Sequence, residues 1–224
     1  MLKIIAAFLM VIDHIGVVFL PSSSSLYILC RLLGRISMPL FAYQLVAGFR
    51  YTRHFPKYLT RIAIMTVFAQ IPFTWLRYGR IVSPSLTHWN IGLTFLCALL
   101  ILERLAKLST FKDLLTLSYL PDLLLIIFLL LIGRVGDYGS YGILTVVIFY
   151  YYQKGTLSLK QCSFLLTLLC LIYLPTIGTL QIFSLFSLVV IKETQDIPVK
   201  LPKNFFYFFY PAHMFLLVIL KSVF

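Results

Sequence analysis

The chain has 224 residues, of which 61% are hydrophobic and only 12% are charged, and its mean hydropathy is +0.97. A soluble domain of this length is far more polar, so the composition excludes that class and predicts a polytopic membrane protein. The net charge of +12 does not indicate a nucleic-acid partner, because the basic residues fall in short connections between apolar segments rather than along one solvated face.

Apolar runs bounded by charges, proline or glycine predict the helices in chain order. A bilayer core of about 30 Å requires roughly 20 apolar residues per helix. The runs that approach this length comprise residues 4–20, 26–49, 58–76, 90–105, 114–132, 138–152, 159–174, 177–191 and 205–223. They predict an all-α fold, a polytopic integral membrane helix bundle of about nine transmembrane helices forming a single domain over residues 1–224. Residues 174–176 alone join the seventh and eighth runs, so a broken or re-entrant segment is the alternative there.

The distribution of basic residues predicts the orientation of the bundle. If the N-terminus is cytoplasmic, most of the 19 Lys and Arg residues lie in cytoplasmic connections, as the positive-inside rule requires. We therefore predict an N-in and C-out topology. The four cysteines lie within apolar runs without metal-ligand spacing, so we expect neither a disulfide framework nor a metal site.

The first run contains two adjacent ionisable residues, Asp13 and His14. Insertion scales put the cost of a charged side chain at a helix centre at roughly 2.5 to 3.5 kcal/mol, so this pair is a candidate functional site. With a rise of about 1.5 Å per residue, both side chains lie near the middle of the membrane. A structural polar contact between helices is the alternative interpretation.

The second run carries Arg31 and Arg35, whose i, i+4 spacing places both on one helix face. We expect Arg35 at about the depth of His14. Buried cations need an anion, and Asp13 is the first carboxylate of the chain, far ahead of Glu103. The sequence therefore predicts a salt bridge at Asp13, with Arg35 as a candidate partner, and such a bridge is compatible with a catalytic role.

Polar candidates also occur in the fourth and ninth runs. Asn90 and Thr94, again i, i+4, are expected to face inward and to donate hydrogen bonds. In the ninth run, Tyr210 and His213 flank Pro211, which can open a helix and free backbone carbonyls. His213 thus brings a second imidazole to the depth of the first.

A glycine-rich turn, residues 133–142, separates the fifth and sixth runs. It lacks the preceding strand and the ending of a phosphate-binding loop, so a tight turn with close helix packing is the better interpretation. Asp137 and Tyr138 within it are expected to line the outer mouth of a cavity.

The order of short motifs along the chain resembles that of the TraX family, membrane proteins named for the acetylase of conjugative pilin. The motifs are IDHIG at 12–16, GRISMPLF at 34–41, GFRYTR at 48–53, NI at 90–91, GDYG at 136–139 and YPAH at 210–213. Each motif alone is weak, but the ordered set covers nearly the whole chain. The resemblance implies a membrane-embedded acyltransferase in the plasma (inner) membrane of a bacterium, in contact with lipid. It would carry acetyl from cytoplasmic acetyl-CoA to a peptide or pilin-like N-terminal amine on the other side.

The resemblance also implies roles for individual residues. His14 is the expected general base, Asp13 the carboxylate that orients it, and His213 a second polar group. An imidazole titrates near neutral pH and suits the removal of a proton from an attacking amine. The developing oxyanion needs hydrogen-bond donors, for which Arg35, Asn90 and His213 are candidates.

Further side chains are expected to bind the two substrates. The phosphates of acetyl-CoA require cytoplasmic cations, and the densest basic cluster comprises Arg50, Arg53, Lys57 and Arg61. The candidates for acceptor binding are Arg31, Thr94, Asp137, Tyr138 and Tyr210.

Other function classes remain open at this point. Buried His, Asp and Arg side chains also form proton relays in secondary transporters, although early and late runs show no convincing internal repeat. A non-enzymatic assembly protein would use the buried charges as links between helices. A cell-surface glycan is a chemically acceptable acceptor for the same base.

Overall fold

The computed structural model describes residues 1–79, 88–108, 116–200, 202 and 204–223. Within these residues the chain is helical, and it contains no named β-strand. The α-helices are α1 Leu2–Phe19, α2 Ser25–Tyr51, α3 Phe55–Tyr78, α4 Ile91–Leu105, α5 Leu120–Gly133, α6 Gly139–Gln153, α7 Leu159–Ile177, α8 Phe186–Thr194 and α9 Phe205–Val223. Two 3₁₀ helices, Leu117–Tyr119 and Thr179–Leu185, precede α5 and α8.

Five of the described helices, α1, α2, α3, α7 and α9, are long and apolar enough to cross a membrane. Large apolar side chains such as Phe8, Phe68, Phe164 and Phe208 are more than 60% exposed on their outer surfaces. Such surfaces suit contact with lipid rather than water. The predicted all-helical membrane class is therefore confirmed, whereas the count of nine crossings and their orientation stay predictions.

The fifth and eighth runs differ from expectation. The α5 helix has only 14 residues, which is about 21 Å of helix, and the first two residues of the predicted run lie outside the described part of the chain. The eighth run is not one α-helix: after Gly178, at φ 80°, it forms seven residues of 3₁₀ helix and then the nine residues of α8. The eighth run is thus broken, as the alternative interpretation allowed, but the break lies at Gly178, because residues 174–176 belong to α7.

Local capping explains several helix starts. The side chains of Ser24, Asn90 and Ser158 each accept a hydrogen bond from a backbone N–H in the first turn of α2, α4 and α7. Ser158 and Gln161 form a complete capping box. Each cap satisfies a donor that has no partner within its helix, and so it determines where the helix begins.

Small residues allow α1 and α2 to pack closely. A Cβ atom added at Gly34 would lie 2.2 to 2.4 Å from atoms of Asp13, and one added at Gly16 would lie 2.5 Å from the Cβ of Cys30. Ser37 Oγ donates a hydrogen bond of 2.8 Å to the carbonyl of Ala6. Close backbones of this kind are typical of helix pairs in membranes, where van der Waals contact drives association.

Contacts between helix ends divide the ends into two groups. The N-terminal amine of Met1 donates to the carbonyl of Ile197 just after α8, at 2.8 Å, and Arg50 at the end of α2 donates to the carbonyl of Gln153 at the end of α6. At the other ends, Trp89 before α4 pairs with Gly136 after α5 through an isolated β-bridge. We call the end where α1 begins and α2 ends the basic face, and the opposite end, with the bridge, the turn face.

Candidate active site

Two histidines from the first and last helices meet inside the bundle. Nδ1 of His14 lies 2.8 Å from Nε2 of His213, although the residues are 199 positions apart in the chain. The ring centroids are 5.0 Å apart and the rings are within 9° of parallel. The other nitrogen of His213, Nδ1, lies 3.0 Å from the carbonyl oxygen of Phe209.

These distances assign the protons of a neutral pair. A carbonyl oxygen only accepts, so Nδ1 of His213 must donate to Phe209, which leaves Nε2 of His213 as an acceptor. Nδ1 of His14 must then donate to that acceptor. Its Nε2 consequently carries a lone pair, and no described residue forms a hydrogen bond with it. The pair thus presents a single defined base.

Asp13 pairs with Arg31, not with Arg35. Nη1 of Arg31 lies 2.7 Å from both carboxylate oxygens of Asp13, and the two side chains are only 20% and 15% exposed. Arg35 instead donates to Gln181 at 3.4 Å, and its Nε is buried without a partner among the described residues. The partner of Asp13 is therefore the arginine one helical turn before the expected Arg35.

No hydrogen bond joins Asp13 to His14 among the described residues, although an orienting role for Asp13 would require one. Consecutive residues project about 100° apart around a helix, so the carboxylate turns toward α2 while the imidazole turns toward α9. The side chain that forms a hydrogen bond with the His14 ring is His213.

A cavity of about 240 Å³ is lined by His14 of the pair, though not by His213, and extends toward both faces of the bundle. At the basic face its lining includes Lys3, Gly48 and Tyr58, and at the turn face it includes Asp137 and Tyr138. Between these ends the walls are mostly apolar and include Met10, Met38, Phe41, Leu45, Ile62, Met65, Phe95, Phe206 and Phe209. His14 and Asp13 lie where the apolar wall meets the polar end.

The glycine-rich turn is held rigidly against α4. The backbone N–H of Asp137 donates to the carbonyl of Trp89 at 2.8 Å, and Thr94 Oγ1 donates to the carbonyl of Asp137 at 2.5 Å. Tyr138 has φ 65°, a left-handed conformation that is unfavourable for a side chain of this size. Strain of this kind persists where the surroundings demand it, and here it directs Asp137 and Tyr138 into the cavity lining.

The charge of Asp137 depends on two opposing effects. Burial raises the pKa of this carboxyl, whereas the guanidinium groups of Arg77, Arg35 and Arg31 favour its ionised form. Asp137 and Asp13 both line the cavity at its turn-face end, so two carboxyl groups lie there. The three arginines do not belong to the lining.

Asn90 and Thr94 have structural roles that the sequence did not indicate. The Nδ2 group of Asn90 donates to the carbonyl of Thr66 and to Oε1 of Gln70, both at 2.8 Å, and its Oδ1 caps α4. Both residues are completely buried, and neither belongs to the cavity lining. Because both amide hydrogens of Asn90 are engaged, this residue does not fit the predicted role of oxyanion donor. Thr94 was predicted to bind the acceptor, but its hydroxyl holds the glycine-rich turn.

Tyr210, a predicted acceptor-binding residue, belongs to the cavity lining, with its ring centroid 5.8 Å from that of His213. The basic cluster lies elsewhere: Arg53, Lys57 and Arg61 are exposed at the basic face and do not line the cavity. Lys3 does line it and was missed, because a lysine at a helix start is ordinary in any membrane protein.

Comparison with known proteins settles the family. The family model described as "TraX protein" matches residues 1–221. The chain belongs to the TraX family. This confirms the family that the ordered motifs predicted.

Among curated members related to this TraX-family protein is the "Probable fimbrial assembly protein FimC, serogroup H1" of Dichelobacter nodosus. The two sequences are 29% identical over 241 residues, covering 96% of this chain and 92% of the relative. No solved structure matches the chain.

Proposed function

We propose that this TraX-family protein is a membrane-embedded acetyltransferase of the bacterial inner membrane. It takes acetyl from acetyl-CoA at the basic face, which we assign to the cytoplasm, and delivers it to a peptide or pilin-like N-terminal amine at the turn face. The observation that carries the proposal is that His14, held by a hydrogen bond to His213, lines a cavity that extends toward both faces. The name of the fimbrial relative supports an acceptor of the pilin type.

His14 acts as the general base in this proposal. Its Nε2 lone pair removes a proton as the amine nitrogen attacks the thioester carbon, and the hydrogen bond from Nδ1 to His213 is strengthened while the ring is charged. The C–N bond forms, the C–S bond breaks, and the same proton passes from Nε2 to the departing thiolate. Positioned acid–base catalysis of this kind contributes on the order of 10² to 10⁴ in rate.

Hydrogen-bond donors near the pair would stabilise the oxyanion. The phenol groups of Tyr138 and Tyr210 belong to the cavity lining and can donate. Arg35 does not belong to the cavity lining, but its buried Nε–H has no acceptor among the described residues, so Arg35 stays a candidate donor. Asn90 does not, because both of its amide hydrogens are engaged.

The basic face suits a donor that carries phosphates. Lys3 lies at the mouth of the cavity, and Arg50, Arg53, Lys57 and Arg61 surround that face. Cations at this position satisfy the phosphates outside the membrane, while the apolar walls accept the uncharged part of the donor and exclude water from the thioester.

The first test is acetyl-CoA-dependent thiol release by the purified protein with an N-terminal peptide as acceptor. We expect His14→Ala to lower the rate by on the order of 10² to 10⁴ and His213→Phe to lower it as well, because the tautomer is no longer defined. His54→Ala is the matched control, since His54 is exposed at the basic face, outside the cavity. Retained turnover in His14→Ala with a normal melting temperature would remove His14 from the mechanism.

The acceptor is identified by mass spectrometry of surface peptides and glycans from cells with and without the protein. A gain of one acetyl group on peptide N-termini supports the proposal. A gain confined to glycans would transfer the same chemistry to a hydroxyl or amino sugar, and a wild-type protein that releases no thiol with any acceptor would favour transport.

A further inference from the structure

A second, polar cleft lies at the basic face, apart from the histidine cavity. It has a volume of about 560 Å³ and lies between the end of α2, the connection from α6 to α7 and the end of α8. Its lining residues are Tyr43, Gln44, Ala47, Arg50, Tyr51, Tyr152, Gln153, Gly155, Leu157, Gln195 and Asp196. Of its lining residues, the sequence analysis assigned a role only to Arg50, as a candidate ligand for the phosphates of acetyl-CoA, and the family comparison assigns no role to the cleft.

The cleft is built by specific polar contacts. Tyr43 donates its hydroxyl to Oε1 of Gln195 at 2.8 Å, and Gln153 Nε2 donates to the carbonyl of Tyr43 at 2.7 Å. Arg50 donates to the carbonyl of Gln153, and its guanidinium lies 5.9 Å from the centre of the Tyr51 ring. These bonds connect three separate helix ends around one opening, so its shape does not depend on a single loop.

The unused groups of the cleft are of mixed character. The Tyr51 side chain is 80% exposed and offers a free aromatic face. Asp196 forms no ion pair among the described residues, and the amide oxygen of Gln153 and amide nitrogen of Gln195 remain available. Arg50 supplies the positive charge. Asp196 would repel a ligand that consists only of a phosphate. A nucleotide suits the cleft better, because its exocyclic amine can donate to Asp196, its base can stack on Tyr51 and its phosphate can accept from Arg50.

Gln44 connects this cleft to the histidine cavity, because it lines both. Along α2, Gln44 lies about 15 Å from Gly34, which packs against Asp13 beside His14. A ligand with its head in the cleft can therefore extend past Gln44 along the apolar walls toward the base.

We propose that the cleft binds the adenine nucleotide end of the acyl donor, with Tyr51 under the base, Asp196 on its amino group and Arg50 on a phosphate. This inference rests on the proposed function and deepens it. It relocates the nucleotide from the exposed cluster at the start of α3 to the space between α2 and α8, with Arg50 common to both.

The test measures binding of adenosine 3′,5′-bisphosphate, the nucleotide end of CoA, to the full-length protein in lipid nanodiscs by calorimetry. We expect Tyr51→Ala to weaken binding by about tenfold, because stacking of a base on an aromatic ring is lost. Tyr51→Trp keeps the aromatic face and should restore most of the affinity. Tyr27→Ala, at the opposite end of α2, is the matched control and should change the affinity less than twofold. Melting temperatures show that each variant is folded.

Asp196→Ala, which removes both the charge and the hydrogen-bond acceptor, gives a test in which the direction of the change in affinity decides. If Asp196 only contributes negative charge, its removal strengthens binding of an anion, as Glu193→Ala in the last turn of α8 should do slightly. If it accepts a hydrogen bond from the base, its removal weakens binding. Weakening supports the proposal, and strengthening overturns it.

Two further outcomes separate this inference from the function on which it rests. In the first outcome, the wild-type protein binds acetyl-CoA and releases thiol, and the cleft variants bind the nucleotide normally, but Arg61→Gln weakens nucleotide binding. The nucleotide then lies at α3, and only the cleft proposal fails. In the second outcome, the wild type binds neither acetyl-CoA nor the bisphosphate, and both the acetyltransferase proposal and the cleft proposal fail.

Discussion

At the scale of single residues, the site depends on one imidazole held by another. Because Phe209 offers only a carbonyl to His213, the direction of every proton in the chain from Phe209 to His14 is determined. An isolated histidine in lipid has no such restriction. The pair therefore determines the tautomer of His14, a residue that lines the cavity.

The ion pair between Asp13 and Arg31 gives a prediction at the same scale. Arg31→Met leaves a mostly buried carboxylate without its partner, and we expect destabilisation of about 3 kcal/mol. Asp13→Leu combined with Arg31→Met should recover most of that loss, because the charge that lacked a partner has also been removed. Thermal unfolding in detergent of the two single variants and the double variant measures this, and additive losses would contradict a direct pair.

At the scale of helices, the close approach of α1 and α2 determines where Asp13 can lie. Gly34 is the residue that permits it, since an added Cβ would overlap both the Cβ and the carboxylate of Asp13. The ion pair and the position of the neighbouring His14 therefore depend on a residue with no side chain of its own.

We accordingly predict that Gly34→Ala destabilises the protein by about 1 to 3 kcal/mol through overpacking and lowers thiol release as well. Gly34→Val should be worse than Gly34→Ala. Cys30→Ala, on the same helix pair near Gly16, removes an atom rather than adding one and serves as the control. Melting temperature and thiol release of the three variants measure the effect, and a Gly34→Ala protein with wild-type values would show that the helices separate freely.

The broken eighth segment is also explained at this scale. Its polar residues Gln181, Ser184 and Ser187 are all buried, and the first two face Tyr141 of α6 through hydrogen bonds. A 3₁₀ helix repeats every three residues, so Gln181 and Ser184 lie on the same side of it, and Ser187 follows in the first turn of α8. The bonding to α6 thus favours the tighter helix that hydropathy alone could not indicate.

At the scale of the whole molecule, the contacts between helix ends group the basic connections at one face. The terminal amine of Met1 meets Ile197, and Arg104 at the end of α4 lies 3.6 Å from Asp122 at the start of α5. Alternating ends of this kind are what an antiparallel bundle requires of successive helices. The positive-inside rule then predicts that the basic face is cytoplasmic.

Introduced cysteines measure this topology directly. The four native cysteines are buried, so background labelling by a membrane-impermeant maleimide should be low. We expect Ser22→Cys to react in cells whose outer membrane has been made permeable, and His54→Cys to react only in inverted inner-membrane vesicles. Both positions are exposed, at opposite faces. The reverse labelling pattern would contradict the predicted N-in topology, and it would place the polar cleft on the side of the membrane away from cytoplasmic CoA.

The amino-acid sequence by itself determined the membrane class, the helical fold and the family, because these follow from hydropathy and from the order of local motifs. It also identified Asp13, His14, Asp137, Tyr138 and Tyr210, all of which line the cavity, since polar groups are conspicuous in apolar or glycine-rich surroundings.

Only the tertiary structure decided which of these groups meet. Helical periodicity gives the face on which a side chain lies, but not how one helix is rotated and shifted against another. That relation selected Arg31 over Arg35 for Asp13, engaged Asn90 in capping, and joined His14 to a histidine 199 residues away. Partners so distant in the chain are set by the packing of the whole bundle, which no local pattern encodes.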